Sequence, residues 1–84
     1  MGNRATTKDE KFMMCLFEEA SKLSDLDASF DRYEIGARIG LQPKGVDTIC
    51  VLLAQANFIK KKSSTEVSIT PHGVKLVERI LNEC

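Results

Sequence analysis

Apolar residues along the chain recur at the three- and four-residue spacings of amphipathic helices. The first such segment covers residues 8–23 and follows a capping box, in which Thr7 and Glu10 satisfy each other's backbone N–H groups. The polar residues 24–29 that come next predict a turn-rich loop, with Phe30 as an isolated apolar anchor. The predicted inward stripe of the first helix comprises Phe12, Met13, Leu16, Ala20 and Leu23.

Two further helices are predicted close together. Asp31 is expected to cap a short helix over residues 32–39, which Gly40 ends because glycine readily adopts a left-handed conformation. Pro43 suits the first position of a third helix over residues 43–56, since its missing N–H costs nothing there. A connection of about four residues is typical of a helix-turn-helix. The inward stripe of the third helix comprises Val46, Ile49, Cys50 and Leu53.

A hairpin and a closing helix complete the predicted elements. Residues 58–62 are predicted to form a strand and residues 66–69 its antiparallel partner, joined by a short polar connection. Thr70 and Pro71 are an N-cap and a first-turn proline for a last helix that ends near residue 82. The apolar face of this helix comprises Val74, Val77, Ile80 and Leu81.

This order of elements predicts one mostly α-helical domain with a small β-hairpin. A chain of 84 residues is long enough for one domain and too short for two. We expect a flexible N-terminal tail at residues 1–6 and a single domain over residues 7–84. The order matches a winged helix-turn-helix, which has a three-helix core, a two-stranded wing and a C-terminal helix.

Three segments resemble the winged-helix regulators of bacterial type. Residues 33–41 look like their second helix, and residues 46–53 with 57–59 resemble their third helix running into the wing. Residues 67–73 are similar to the strand and Thr-Pro-x-Gly closure of the MarR-like group; they read VSITPHG. The resemblance covers residues 8–83. It implies binding of duplex DNA, with the third helix in the major groove and the wing on the backbone, and a role in transcription regulation.

The distribution of charge places an anionic partner on the second half of the chain. Lys and Arg number 12, as do Asp and Glu, so the chain as a whole has no basic excess. Residues 1–35 carry five basic and eight acidic side chains, a net charge of −3. Residues 42–64 carry four lysines and Asp47, a net charge of +3. An anion is therefore expected to contact the third helix and the hairpin.

The resemblance and the charge together suggest which residues contact DNA. Lys44 and Thr48 lie near the start of the third helix, and Gln55 is able to pair with adenine. Lysines at a hairpin tip each neutralise a phosphate and release counterions. The alternative for these lysines is a solvated edge strand that resists pairing with other strands. The residues assigned to DNA are Arg38, Gln42, Lys44, Thr48, Gln55, Lys60, Lys61, Lys62, Ser63 and Ser64.

The outer face of the third helix also supports a second hypothesis. Val51 and Leu52 place apolar surface where a helix that reads DNA usually has polar or basic side chains. The helix contains no arginine, and Lys44 is its only lysine. The alternative function is therefore a protein-interaction module, or adaptor, that uses Val51 and Leu52 as its interface.

Spare apolar residues on the first and last helices predict a homodimer. Met14 and Phe17 lie off the inward stripe of the first helix, and Leu76 and Leu81 broaden the apolar face of the last. A dimer formed through these helices would place two third helices on successive DNA half-sites.

The sequence does not predict an enzyme, a cofactor or a metal site. His72 is the only histidine, and no phosphate-cradling glycine loop is present. The three cysteines, Cys15, Cys50 and Cys84, are dispersed without a C-x-x-C spacing, which is typical of a reducing compartment. No apolar run approaches the roughly 18 residues of a membrane span. We therefore expect a cytoplasmic protein with no membrane partner.

Overall fold

The computed structural model describes residues 7–82, which form four helices and a three-stranded antiparallel sheet. The prediction of a mostly α-helical chain with a small β element is confirmed. The predicted tail at residues 1–6 and Cys84 lie outside the described residues. The elements in chain order are α1 (Lys8–Lys22), β1 (Phe30–Asp31), α2 (Arg32–Arg38), α3 (Pro43–Gln55), β2 (Ile59–Lys61), β3 (Glu66–Ile69) and α4 (Pro71–Asn82).

Side-chain caps start three of the helices where the sequence predicts them. At α1, the Thr7 hydroxyl accepts from the Glu10 N–H at 3.3 Å, and the Glu10 carboxylate accepts from the Thr7 N–H at 3.0 Å. At α2, the Asp31 carboxylate accepts from the second helical N–H at 2.8 Å. At α4, the Thr70 hydroxyl accepts from the Gly73 N–H at 3.0 Å. Each bond satisfies a helix N–H group that has no partner within the helix.

Residues with positive φ angles end three helices and turn the chain. Gly40, with φ of 81°, follows α2, and Asn57, with φ of 66°, follows α3. Ser24, with φ of 53°, follows α1. Glycine and asparagine tolerate this region better than other residues, which agrees with the prediction that Gly40 ends the second helix.

The sheet contains a third strand that the sequence analysis placed in a loop. Phe30 was expected to be an isolated apolar anchor, but it pairs with Val67 in the short strand β1. The strand order is β1-β3-β2, so β3 lies at the centre. Ile59 and Ile69 are opposite each other in the pairing of β2 with β3. A strand of two residues has no periodicity of its own, so it forms only because β3 offers a free edge.

Most of the predicted stripes face the core, although two leucines do not. Leu23 is 61% exposed because α1 ends at Lys22 and the chain turns away at this residue. Leu81 is 50% exposed because it lies in the last turn of α4, beside rather than on the inward face. The buried apolar residues are Phe12, Met13, Leu16, Ala20, Ile35, Val46, Cys50, Leu53, Ile59, Val67, Ile69, Val77 and Ile80.

The crossing of α2 and α3 depends on a small residue. A Cβ atom on Gly36 would overlap the Val46 side chain, so glycine allows the two helices to approach closely at this point. Residues 39–42 are the only ones between the two helices. Together the short connection and the close crossing fix the direction of α3 relative to α2.

Ser68, at the centre of β3, is a buried polar residue without a hydrogen-bond partner among the described residues. Its side chain is fully buried, and its hydroxyl neither donates nor accepts. Because a buried hydroxyl without a partner costs about 1–3 kcal/mol, we expect Ser68→Ala to raise the free energy of unfolding by about 1 kcal/mol. Urea denaturation followed by circular dichroism measures this change.

Ser29 supplies the matched control for this substitution. Its hydroxyl donates to the Glu66 carboxylate at 3.3 Å in a half-buried position. Ser29→Ala removes a hydrogen bond and is expected to lower stability. Equal losses of stability for both variants would show that the Ser68 hydroxyl contributes favourably.

Candidate nucleic-acid interface

The exposed face of α3 carries the polar residues predicted to contact DNA. Lys44, Thr48 and Gln55 are all exposed, on the side opposite the buried Val46 and Leu53. The Thr48 hydroxyl donates to the Lys44 carbonyl oxygen at 3.1 Å. This bond fixes the Thr48 side chain and leaves the lone pairs of its oxygen as acceptors toward solvent.

Gln42 lies at the N-cap of α3 with its side chain exposed. Its amide makes no cap hydrogen bond to the helix, so both its donor and its acceptor face solvent. The N-terminal end of α3 therefore presents two exposed polar side chains, the Gln42 amide and the Lys44 ammonium group.

The hairpin formed by β2 and β3 presents the lysines on two faces. Lys60 lies opposite Ser68 and Lys61 opposite Val67, so their side chains point to opposite sides of the sheet. Both are exposed. The Lys62 ammonium lies 3.8 Å from the Asp27 carboxylate, so this third lysine has a partner within the domain.

The loop of the hairpin is closed by its own serine. The Ser63 hydroxyl accepts from the Glu66 N–H at 3.1 Å, and the Lys62 N–H donates to the Glu66 carbonyl at 2.8 Å. Ser63 and Ser64 are both exposed at the tip. The tip is thus an ordered turn with two hydroxyl groups at its surface.

Arg32 joins the hairpin to α3 through a network of hydrogen bonds. Its guanidinium donates to the Ser64 carbonyl at 2.6 Å and to the Asp47 carboxylate at 3.3 and 3.4 Å. The Tyr33 hydroxyl donates to the same carboxylate at 2.6 Å, and the guanidinium lies 4.6 Å from the centre of the Tyr33 ring. We call Arg32, Tyr33, Asp47 and Ser64 the Arg32 network. It fixes the hairpin tip close to the first half of α3.

The pKa values of the network follow from these bonds. The Tyr33 hydroxyl that donates to Asp47, helped by the Arg32 guanidinium, holds the pKa of Asp47 below its ordinary value of 3.8. The hydrogen bond to Asp47 raises the pKa of Tyr33 above its ordinary value of 10.0. Both shifts favour the same state, in which the carboxylate is charged and the phenol is neutral.

These directions predict how the network responds to acid. A carboxylate with a lowered folded pKa stabilises the fold above its unfolded pKa, and this contribution is lost as the pH falls through the folded value. We therefore expect the amide resonances of Arg32 and Ser64 to stay constant at neutral pH and to shift together below about pH 4. Nuclear magnetic resonance (NMR) spectra recorded against pH measure this shift.

Asp47→Asn provides the control for the acid response. The amide keeps a similar shape but cannot titrate, so the coupled shift of Arg32 and Ser64 should disappear. A shift that persists in this variant would assign the acid response to another carboxylate.

Arg38 forms an ion pair with a residue of α1. Its guanidinium lies 2.8 Å from the Glu19 carboxylate, which also contacts the Lys22 ammonium at 3.1 Å. The Arg38 side chain remains 52% exposed. A phosphate would therefore compete with Glu19 for this guanidinium.

Three lysines on α3 and the hairpin have no acidic partner in the described part of the chain. Among residues 7–82, Lys44, Lys60 and Lys61 have no carboxylate within 4.0 Å. Asp47, the one acidic residue of α3, is already paired with Arg32 at 3.3 Å. The side formed by α3 and the hairpin therefore has an excess of positive charge, although the whole chain is neutral.

An apolar groove lies between α3 and the hairpin. Its volume is about 290 Å³. Val51, at its wall, is 56% exposed, and the neighbouring Leu52 is 58% exposed outside it. We call this the α3–hairpin groove; it is lined by Arg32, Asp47, Cys50, Val51, Ala54, Ile59, Lys61 and Val67.

The residues predicted to form a homodimer are mostly used within the domain. Met14, Phe17 and Leu76 are half-buried and pack against the core, whereas Leu81 is half-exposed. The apolar surface left for another subunit on α1 and α4 is therefore smaller than the sequence indicated. The homodimer stays a prediction.

The Arg32 network is the part of this site that sequence reasoning missed. The sequence patterns give Arg32 and Tyr33 no role beyond the short helix over residues 32–39, and Asp47 only a place in the net charge of residues 42–64. Arg32 and Ser64 are 32 positions apart, so no local spacing relates them. The one available signal was Asp47, which is an isolated acidic residue in a basic segment.

The Cys50 thiol and the His72 imidazole, which are reactive groups in other proteins, are held here by packing contacts. Burial raises the pKa of the Cys50 thiol to about 11, so it is protonated at neutral pH. The exposed His72 ring stacks on Phe58, with 4.9 Å between the ring centres. Within residues 7–82, no three histidine, cysteine or acidic side chains are grouped as a metal site. Over the same residues, no helix has the length and apolar character needed to cross a membrane.

Compared with known proteins, the chain matches no family model, and no curated protein or solved structure is significantly similar to it.

Proposed function

We propose that this chain is a winged helix-turn-helix domain that binds duplex DNA. Two features of the fold support the proposal. The connection between α2 and α3 has only four residues, 39–42, and contains Gly40 in a left-handed conformation, as is common in helix-turn-helix motifs. The hairpin follows α3 directly, where a wing is expected.

The observation that carries the proposal is the position of the unpaired lysines. The Arg32 network holds the hairpin tip beside the first half of α3. Lys44 on α3, and Lys60 and Lys61 on the hairpin, have no acidic partner within residues 7–82. Three free cations on a rigid surface suit the phosphates of a duplex, since each contact releases counterions.

In this proposal the two elements have different roles. The N-terminal half of α3 enters the major groove, where Gln42, Lys44 and Thr48 contact phosphates or base edges. Gln55 lies at the far end of the helix and contacts the duplex only if α3 lies along the groove. On the hairpin, Lys60 and Lys61 contact the backbone, with the hydroxyls of residues 63 and 64 as additional donors.

Two of the predicted DNA contacts carry an added cost. Arg38 must exchange Glu19 for a phosphate, and Lys62 must exchange Asp27. The Lys62 pair is long at 3.8 Å, so it yields more easily than the Arg38 pair at 2.8 Å. A DNA-binding domain of this kind acts as a transcriptional regulator or an accessory factor.

The test is a titration of the labelled protein with mixed-sequence duplex DNA, followed by NMR at two salt concentrations. We expect shifts in residues 43–64. Three phosphate contacts give a salt slope of about −3, so a rise in salt from about 50 to about 200 mM weakens binding by about 40-fold. The absence of salt-sensitive shifts in this segment would overturn the proposal.

A second candidate function is a protein-interaction module. The exposure of Val51 and Leu52, at 56% and 58%, favours it because adjacent exposed aliphatic residues on a helix are typical of a contact surface. In this case replacing Val51 and Leu52 together with lysine is expected to abolish binding of the partner without changing the circular dichroism spectrum.

A further inference from the structure

The α3–hairpin groove has an apolar floor that phosphate binding does not use. Cys50, Ile59 and Val67 form the floor and are 7%, 3% and 3% exposed. Val51 and Ala54 form the wall on α3 and are exposed. The volume of about 290 Å³ lies just below the range of about 300–1,000 Å³ for pockets that hold small molecules. The groove therefore suits one or two side chains of a protein partner.

The charge at the rim of the groove is positive. Asp47 is occupied by the Tyr33 hydroxyl at 2.6 Å and by Arg32 at 3.3 Å. The Arg32 guanidinium also donates to the Ser64 carbonyl, so most of its donors are used. Lys61 lines the groove and has no carboxylate partner within residues 7–82. The occupant that matches this rim carries negative charge beside its apolar side chain.

We infer that the α3–hairpin groove binds an acidic segment of a partner protein. The segment inserts an aliphatic side chain against Val51 and the apolar floor, and one of its carboxylates pairs with Lys61. The inference deepens the second candidate function and rests on it. Because Lys61 is also a proposed phosphate contact, a bound segment excludes DNA from this side of the molecule.

The test uses a synthetic acidic peptide of about 12 residues, with one central leucine flanked by glutamates. Anchoring by a buried side chain predicts that replacing the leucine with alanine weakens binding by about tenfold or more. A second control peptide, with glutamine in place of glutamate, is expected to bind more weakly and to lose its dependence on salt. Fluorescence anisotropy measures the affinities, and NMR shifts locate the site.

Two pairs of adjacent residues distinguish the groove from the surface around it. Val51→Glu changes a residue that lines the groove, whereas Leu52→Glu changes an equally exposed residue that does not. Lys61→Glu and Lys60→Glu form a second pair, since only Lys61 lines the groove. We expect Val51→Glu and Lys61→Glu each to lower the affinity for the peptide by about tenfold or more. Their controls, Leu52→Glu and Lys60→Glu, are expected to stay within about twofold of the wild-type affinity.

The outcomes separate this inference from the functions proposed above. If Leu52→Glu and Val51→Glu lose peptide binding equally, the groove is not the binding site, and the second candidate function still stands. Equal binding of the leucine and alanine peptides, or no binding by the wild-type chain, also overturns the inference. DNA binding is measured in the separate duplex titration and depends on both Lys60 and Lys61.

Discussion

Replacing Gly73 with alanine is expected to lower the free energy of unfolding by about 3 kcal/mol. A Cβ atom at this position would overlap the Phe58 carbonyl oxygen, and would lie 2.8 Å from the Met13 methyl and 2.9 Å from Ile69 Cγ1. The carbonyl cannot move away freely because it accepts from the Thr70 N–H at 3.1 Å. The backbone of α4 must therefore shift away from the sheet.

Urea denaturation of this variant measures the loss, which is large for a domain of this size. Stabilities of about 0.05–0.15 kcal/mol per residue leave little reserve in a chain this short. Gly45→Ala is the matched control, since its Cβ would meet only Leu41 Cδ2 at 3.7 Å. Alanine favours helices, so this control is expected to be neutral or more stable by up to about 1 kcal/mol. Equal stability of the two variants would contradict the close packing of α4 on β3.

Replacing Lys44, Lys60 and Lys61 together with alanine is expected to weaken duplex binding by about 500-fold at about 0.1 M salt. Each phosphate contact contributes a factor of about 8 at this concentration through counterion release. The salt slope should also fall by about 1 for each lysine that contacts a phosphate. Because all three side chains are exposed and unpaired within residues 7–82, the fold should be unaffected.

A second triple variant controls for net charge. Lys8 and Lys11 are exposed on α1 and Lys75 is exposed on α4, so none of them belongs to α3 or the hairpin. Their replacement with alanine removes the same charge from the chain. We expect this control to retain nearly all of its DNA affinity. Equal losses in the two triple variants would show that net charge alone attracts DNA, without a defined interface.

The predicted features that the structure confirms depend on short-range physics. The capping box of Thr7 and Glu10 and the cap at Asp31 act over two or three residues, so the sequence around them is sufficient. The left-handed conformation of Gly40 follows from its lack of a side chain. The exposed position of Lys44 follows from helical periodicity.

The features that the sequence analysis missed or misplaced depend on contacts between distant segments. Phe30 became part of β1 only because Val67, in a strand 37 positions later, offers it a partner. Arg38 was assigned to phosphate from its position on α2, whereas α1 supplies Glu19 as its partner. The exposure of Leu23 depended on where α1 ends, which periodicity locates only to within a few residues.

Local sequence patterns are enough to predict the four helices, the hairpin of β2 and β3, the caps and turns that bound them, and the residues that face solvent on α3. Which of the exposed charges have partners depends on the packing of distant segments in the folded chain. Arg32 neutralises Asp47 and holds the hairpin tip, and Glu19 pairs with Arg38. Among residues 7–82, Lys44 and Lys61 are left without an acidic partner. Pairing depends on which segments the fold brings within about 4 Å, and no local pattern encodes that distance.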